Sequence, residues 1–138
     1  MTNPERYPYT TTDSTLGQAG VMPFLPITLM LESQSLPVTG LLDTGSSVNV
    51  LPHPVGVQLG AVRTEQPILT QLGGNLGQFE ARGLVLSAQI GSFDPVRFVF
   101  AWTEAENVPL ILGQVNFFMQ FDVCFYRSSF QFEIKPKS

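Results

Sequence analysis

Residues 41–52 read LLDTGSSVNVLP, and no other part of the chain says more about its fold. Two leucines of β-strand character lead to one carboxylate, Asp43, and a turn of hydroxyl-bearing residues and glycine follows it. Because Gly45 has no Cβ, backbone can approach the carboxylate and present an N–H to it. The hydroxyls of Thr44 and Ser46 are short donors that can orient a neighbouring acid. The stretch therefore predicts a carboxylate held in a prepared turn, although an ordinary Asx-type turn after a strand has the same composition.

A second informative stretch lies at residues 109–122, which read PLILGQVNFFMQFD. An apolar strand ends at Gly113, and the residues after it have helical spacing of apolar side chains, at Val115, Phe118 and Met119. The sequence therefore predicts a short amphipathic helix directly after the glycine. Taken alone, this pattern also suits an ordinary buried strand that leads to a helix.

Between these two stretches, residues 67–83 read PILTQLGGNLGQFEARG. Two runs of β-like composition, 68–72 and 78–81, flank a glycine-rich connection. Such a connection is typical of a hairpin tip, where glycine gives easy access to positive φ. It is not a phosphate loop, because it has neither of the usual glycine spacings and no helix follows it.

Together the three stretches resemble the retropepsin-like (retroviral-type) aspartic proteases, in their single-domain cellular and bacterial form. The first resembles the family's active-site loop, apolar-apolar-Asp-Thr/Ser-Gly-Ser/Ala. The last resembles its apolar-apolar-Gly element, whose glycine lets a strand pass closely behind that loop, and the middle one resembles the flap. The resemblance covers residues 24–134. It implies an all-β fold: a closed, mostly antiparallel barrel with one short helix after Gly113, acting as a two-fold homodimer.

The resemblance also implies roles for individual residues. Asp43 of each subunit would activate the attacking water, and Thr44 would lock the two loops across the two-fold axis. Gly45 and Ser46 would hydrogen-bond the carboxylate. A flap over an extended peptide substrate would comprise Leu72, Gly73, Gly74, Asn75, Leu76 and Gly77. Apolar pockets for substrate side chains would involve Leu42, Ile111 and Leu112.

One Asp-Thr-Gly loop in 138 residues has a mechanistic consequence. Acid protease chemistry needs two close carboxylates that share one proton, so that one acts as base while the other polarises the scissile carbonyl. Pepsin-type enzymes carry both loops in one longer chain. Here the second carboxylate would come from Asp43 of a second copy, in a homodimer. The sequence thus predicts an aspartic endopeptidase for extended, apolar peptide segments, most active at acidic pH.

The sequence departs from viral retropepsins at two positions that act together. Many viral enzymes have an acid after the Asp-Thr-Gly-Ala motif and an arginine after the downstream glycine, and the two form a salt bridge. This chain has Ser47 and Gln114 at those positions. Because both partners change, no lone charge is left behind, and a neutral hydrogen bond can replace the pair.

Composition and periodicity agree with an all-β domain. The chain has 11 Phe, 11 Pro and 12 Gly, with few helix-forming runs. Residues 96–102 alternate between an aromatic and a smaller face, which predicts a strand, and residues 24–31 and 37–42 suggest an early hairpin. Residues 130–134 alternate as well, and the resemblance implies that this terminal strand interleaves with its mate in a dimer sheet.

The first 20 residues differ in character from the rest. They are rich in Thr, Ser, Pro and Tyr, which predicts a flexible tail over residues 1–20 and a single domain over residues 21–138. The tail lacks the apolar core of a signal peptide. No apolar run approaches the length needed to span a membrane. The sequence therefore predicts a cytoplasmic protein that does not bind membranes.

Several classes of site are disfavoured by composition. Cys124 is the only cysteine, which excludes an intrachain disulfide, and its apolar neighbours predict a buried thiol. One cysteine and one histidine, His53, cannot supply a structural zinc site, so neither a metal nor a cofactor is predicted. A net charge of −4 with sparse basic residues argues against nucleic acid as a partner.

Two alternatives remain open at this point. The chain could be a non-catalytic dimeric binding or assembly module that keeps the retropepsin fold. It could also be a monomeric β-barrel that binds a ligand, with Asp43 serving only as a turn residue. Two other acids, Asp94 and Asp122, have no loop rich in glycine and hydroxyls around them, so they are predicted to be surface residues.

Overall fold

The computed structural model describes residues 2–69 and 81–138. Short connections join the elements, and helices are few and short within this part of the chain. The strands are β1 (Glu5–Pro8), β2 (Phe24–Leu31), β3 (Gln34–Leu42), β4 (Asn49–Leu51), β5 (Ile68–Leu69), β6 (Ala81–Gln89), β7 (Val96–Thr103), β8 (Ile111–Leu112), β9 (Phe121–Tyr126) and β10 (Gln131–Pro136). The α-helices are α1 (His53–Gln58) and α2 (Phe117–Gln120), and the 3₁₀ segments are Ser14–Gly20, Arg63–Glu65 and Arg127–Ser129.

Six strands form a closed barrel in the order β2-β3-β8-β4-β7-β6. The ring closes because the end of β6 pairs with β2, antiparallel, from Thr28 opposite Gln89 to Met30 opposite Ser87. The start of β6 pairs instead with the two residues of β5. Two pairs of neighbouring strands in the ring, β3–β8 and β4–β7, are parallel, and the other pairs are antiparallel. The prediction of an all-β, closed and mostly antiparallel barrel is confirmed.

The barrel interior is filled by one face of each long strand. In β7 the alternation predicted from the sequence is confirmed, since Phe98 and Phe100 are fully buried while Val99 is 43% exposed. The early hairpin is confirmed too, with β2 and β3 paired from Phe24 opposite Leu41 onward. The largest fully buried side chains are Trp102, Phe98, Phe100, Phe117, Phe121 and Phe132. A core of this size holds the barrel wall rigid beneath the loop that carries Asp43.

A second sheet has the order β1-β10-β9, and it changes the interpretation of the first 20 residues. The segment predicted to be a flexible tail contains β1, which pairs antiparallel with β10. Tyr7 stacks on Phe132 with 5.5 Å between ring centroids, and the Glu5 carboxylate accepts hydrogen bonds from the amide and hydroxyl of Ser92. A partner more than a hundred residues away supplies the order that local composition does not predict. The division into a tail and a domain stays a prediction.

The expected role of the last strand is wrong in one respect. β10 lies in the middle of the three-stranded sheet, with β1 on one side and β9 on the other, so neither of its edges is open to a second chain. Within the described part of the chain, β9 pairs only with β10. In the same ranges β1 likewise pairs only with β10, so the outer edges of β1 and β9 both keep hydrogen-bonding groups for a partner strand.

Two further details differ from the sequence-based expectation. Helix α2 begins later than the apolar spacing suggests and buries Phe117, whereas Val115 and Met119 are 48% and 63% exposed. A turn follows Gly113 and the helix begins only at Phe117, so Phe117 and not Val115 or Met119 is the side chain that faces the core.

Cys124 is exposed and not buried, because it lies on the outward-facing side of β9. In the ranges described, no helix has the length and apolar character needed to cross a membrane.

Candidate active site

Asp43 lies at the end of β3, where the two most informative stretches of sequence meet. β3 and β8 run parallel, with Leu41 opposite Ile111 and Leu42 opposite Leu112. The Asp43 amide then donates to the carbonyl oxygen of Leu112 at 3.1 Å. The carboxylate therefore leaves the sheet at a fixed point, and its loop is supported from behind by β8.

The turn after Asp43 is arranged around its carboxyl group. The Gly45 N–H donates to Asp43 Oδ1 at 2.9 Å, and the Ser46 N–H donates to the Asp43 carbonyl oxygen at 3.1 Å. A hydrogen bond from a backbone N–H to an ionised carboxylate is stronger than one between neutral groups. The Asp43 side chain is partly exposed, so that a water molecule or a second chain can reach it. The arrangement suits a carboxylate that is oriented but accessible.

The hydroxyl groups of the loop do not all point where the resemblance implies. Ser46 Oγ donates to the carbonyl oxygen of Val48 at 2.8 Å, so it braces the loop and does not bond the carboxylate. The Val48 carbonyl lies within reach of the Ser46 hydroxyl because the loop turns back after Ser46. Thr44 is exposed, and within residues 2–69 and 81–138 its hydroxyl has no hydrogen-bond partner. That hydroxyl is therefore available to another chain.

Gly113 crosses directly behind the Asp43 loop. The next two amides, of Gln114 and Val115, donate to the carbonyl oxygens of Ser46 and Ser47, each at 2.9 Å. A Cβ at position 113 would lie 2.8 Å from the Ser46 carbonyl oxygen, closer than real Cβ atoms come to another heavy atom. Only glycine therefore allows the strand to pass this close to the loop.

Asn49 stabilises the crossing of Gly113 behind the Asp43 loop from the interior of the barrel, and the sequence analysis did not identify this residue. It is fully buried, and its Oδ1 accepts a hydrogen bond from the Gly113 N–H at 2.8 Å. A buried polar side chain needs such a partner. The signal was present in the sequence, as one polar residue inside the apolar run of residues 48–51.

Gln114 also reaches the Asp43 loop, although not through the residue first expected. Its Nε2 donates to the carbonyl oxygen of Thr44 at 2.7 Å. The contact is therefore between a side chain and the backbone, and not between the side chains of Gln114 and Ser47. Ser47, the other changed position, contributes its carbonyl oxygen to the Val115 amide instead.

The predicted apolar pocket residues separate into two groups. Leu42 and Leu112 are 5% and 0% exposed and belong to the barrel core. Side chains alternate along a strand, so Leu42 faces away from the side of Asp43. Their assignment to a substrate pocket stays a prediction, with little exposed surface to support it. Ile111 is partly exposed, and Leu41 lines an open groove of about 640 Å³. The apolar residues along that groove include Phe24, Val38, Val55, Val108, Pro109 and Leu110.

The predicted flap, residues 72–77, lies outside the described residues. The chain on either side of it is described, and there Leu69 pairs with Ala81 and Ile68 with Arg82 in an antiparallel ladder. Among the described residues, no group of three or more carboxylate, imidazole or thiol side chains is arranged to hold a metal ion.

No protein-family model matches the chain, and no curated protein is significantly similar to it. Its fold is similar to the crystal structure of a retropepsin-like aspartic protease from Rickettsia conorii, with a TM-score of 0.66. The similarity covers 96% of this chain and 91% of the other, at 14% sequence identity. The chain thus has the fold of a retropepsin-like aspartic protease.

Proposed function

We propose that the chain is an aspartic endopeptidase whose active unit is a homodimer with Asp43 from each copy at the two-fold axis. The observation that carries the proposal is the Asp43 carboxylate at the end of β3, oriented by the Gly45 N–H and backed by the Gly113 crossing. This arrangement occurs in a barrel whose solved relative is named an aspartic protease. A binding module does not require an accessible carboxylate in such a prepared loop.

The chemistry follows from placing two such carboxylates together. Like charges at close range cannot both be ionised, so the pair holds one proton. The ionised Asp43 takes a proton from water, which attacks the peptide carbonyl carbon, while the protonated partner donates to the carbonyl oxygen. Collapse of the tetrahedral intermediate then breaks the C–N bond as a proton passes to the leaving amine. Because one acid must stay protonated, activity should be greatest at acidic pH.

Three features support a second copy of the chain as the partner. The sequence contains one Asp-Thr-Gly loop, so a second carboxylate in the same environment must come from another chain. Thr44 is exposed beside the carboxylate, where its hydroxyl can reach an equivalent loop across the axis. The outer edges of β1 and β9 offer backbone groups to a partner strand. The dimer sheet is then built on these edge strands and not on β10.

The substrate proposed is an extended peptide with apolar side chains near the scissile bond. The groove beside Leu41 is lined mainly by apolar residues and is large enough for a side chain of substantial size. An extended peptide would be held by β-type main-chain hydrogen bonds as well as by such pockets. Residues 72–77 remain the proposed flap over it.

The test is cleavage of a diverse peptide mixture from pH 3 to 7 by the wild-type chain, Asp43→Asn and Asp94→Asn. Asp94 is an exposed acid in the turn between β6 and β7, so it controls for the loss of one carboxylate. We expect cleavage that peaks in acid, disappears in Asp43→Asn and is retained in Asp94→Asn. Equal cleavage by wild type and Asp43→Asn, or no cleavage by a folded wild-type dimer, would overturn the proposal and favour a non-catalytic module.

A further inference from the structure

The peptide unit between Thr44 and Gly45 is held at both ends. On one side Gln114 Nε2 donates to the Thr44 carbonyl oxygen at 2.7 Å. On the other side the Gly45 N–H donates to Asp43 Oδ1 at 2.9 Å. A trans peptide is planar, so its C=O and N–H point in opposite directions. A side chain that fixes the carbonyl therefore also fixes the direction of the N–H that reaches the carboxylate.

Gln114 is well placed to act as such a fixed point. Its own amide is bound to the Ser46 carbonyl oxygen at 2.9 Å, and the residue before it, Gly113, is bound to buried Asn49. The backbone at 114 is thereby tied to the far side of the same loop. The side chain spans a short, defined distance from this anchor to the Thr44 carbonyl. A hydrogen bond to that carbonyl also polarises the peptide, which makes the Gly45 N–H a better donor.

The chemical type of this side chain matters. A glutamine amide donates without carrying charge at any pH, so it orients the loop without adding a charge beside the carboxylate pair. An ionised carboxylate at the same position has no proton to donate and would face the Thr44 carbonyl oxygen with like polarity. A protonated carboxylic acid recovers one donor. A glutamine at position 114 can therefore donate to the Thr44 carbonyl at any pH, whereas a glutamate can do so only when it is protonated.

We infer that Gln114 is a positioning residue, which aims the Gly45 N–H at the Asp43 carboxylate by holding the Thr44 carbonyl. The inference rests on the proposed function, since the carboxylate it orients is the proposed catalytic group. Gln114 acts through the peptide unit and not on the substrate. Its loss should therefore lower kcat and leave KM nearly unchanged.

The test uses Gln114→Ala and Gln114→Glu, with Gln89→Ala as the matched control. Gln89 is also a side-chain amide that donates to backbone carbonyls, those of Gly91 at 3.0 Å and Phe93 at 2.5 Å, but it does so in the turn between β6 and β7. We expect Gln114→Ala to lower kcat about tenfold with KM changed less than about twofold. In Gln114→Glu the ratio of kcat to the wild-type value should fall as pH rises from 3 to 6, because the new acid ionises near pH 4.3. Gln89→Ala should match wild type throughout.

A second readout does not depend on cleavage. Hydrogen exchange of the Gly45 amide, followed by NMR, should be faster in Gln114→Ala than in wild type and unchanged in Gln89→Ala. If wild type does not cleave peptides, the proposed function fails, and this exchange rate still decides whether Gln114 orients the loop. Equal Gly45 exchange in wild type and Gln114→Ala would overturn the inference. A wild-type kcat and pH profile in both Gln114 variants of an active enzyme would overturn it too.

Discussion

Replacing Gly113 by alanine is the sharpest structural perturbation of the Asp43 loop. The three atoms nearest to the added Cβ are all backbone: the Val48 carbonyl oxygen, which is the closest, the Val48 carbonyl carbon at 2.7 Å and the Ser46 carbonyl oxygen at 2.8 Å, whereas ordinary contact begins at 3.4 Å. Rotamer changes cannot relieve a contact with backbone. The strand and the loop must therefore separate by at least about 0.6 Å, which brings the Ser46 contact up to 3.4 Å, and by more to relieve the contact with the Val48 carbonyl oxygen. This separation stretches the hydrogen bonds that join the Gly113 strand to the Asp43 loop.

Gly113→Ala should lower both the stability of the chain and its kcat, and the size of each effect can be estimated. Overpacking of this kind costs roughly 1–3 kcal/mol of unfolding free energy, and for a chain of this size each kcal/mol lowers Tm by about 3 °C. A displacement of about half an ångström in a catalytic group lowers kcat by roughly tenfold or more, given about a hundredfold for 1 Å. Thermal unfolding by circular dichroism and peptide cleavage at the optimal pH measure the two effects separately.

Gly83→Ala is the matched control for that experiment. A Cβ at position 83 would lie 3.5 Å from Pro67 Cγ and 3.6 Å from Leu69 Cδ2, which are ordinary contacts with side chains. We expect its unfolding free energy to stay within about 0.5 kcal/mol of the wild-type value. If Gly113→Ala unfolds at the same temperature as Gly83→Ala and cleaves at the same rate, the close crossing does not position the loop and the reasoning fails.

Three further predictions concern the supports around the site. Asn49→Ala should cost about 1–3 kcal/mol in chemical denaturation, because it leaves a buried backbone N–H without its acceptor; a smaller loss would refute that role. Hydrogen bonds from Ser92 lower the pKa of the Glu5 carboxyl, so Glu5 contributes stability above its ordinary pKa that disappears as pH falls through the lowered value. The difference in unfolding free energy between wild type and Glu5→Gln should therefore shrink in acid, and a difference independent of pH would contradict this. Gly91→Ala should destabilise more than Gly60→Ala; both have positive φ, but only at 91 would a Cβ meet the Glu5 carboxylate, and equal losses would argue against the contact.

Local patterns in the sequence were sufficient for the parts of the fold that depend on local chemistry. The alternation in β7 and the hairpin of β2 and β3 follow from a period of two, which a short window contains. These strand features could be predicted because each is encoded within a few residues. The crossing of Gly113 behind the Asp43 loop joins distant parts of the chain, and it was predicted only from the resemblance to a known family.

Other features depend on partners that lie far away along the chain. The pairing of β1 with β10 joins the two ends of the sequence, and the Glu5 contact with Ser92 spans nearly as far. Neither has a local signal. The hydrogen-bond acceptor of Gln114 could not be predicted for the same reason. A side-chain amide can reach several carbonyl oxygens, and only the fold selects the one on Thr44.

The burial of Leu42 could have been predicted from the sequence alone. Leu42 immediately precedes Asp43, so a residue facing the cleft at 43 requires a residue facing the core at 42. The same parity places Leu41 on the face opposite to Leu42, and Leu41 lines the open groove of about 640 Å³. Counting positions from the carboxylate would have separated core from cleft without any structure.

The central claim is that catalysis needs Asp43 from two copies of the chain, and mixed dimers test it most directly. Wild-type and Asp43→Asn chains with different affinity tags would be refolded together in equal amounts, and cleavage would be measured per total dimer. If both carboxylates are required, only dimers of two wild-type chains are active, and activity should fall to about one quarter of the wild-type value by random pairing. Activity of about one half (mixed dimers at half rate) to three quarters (mixed dimers at full rate), or isolated mixed dimers that cleave at a substantial rate, would mean that one Asp43 is enough and would contradict the account.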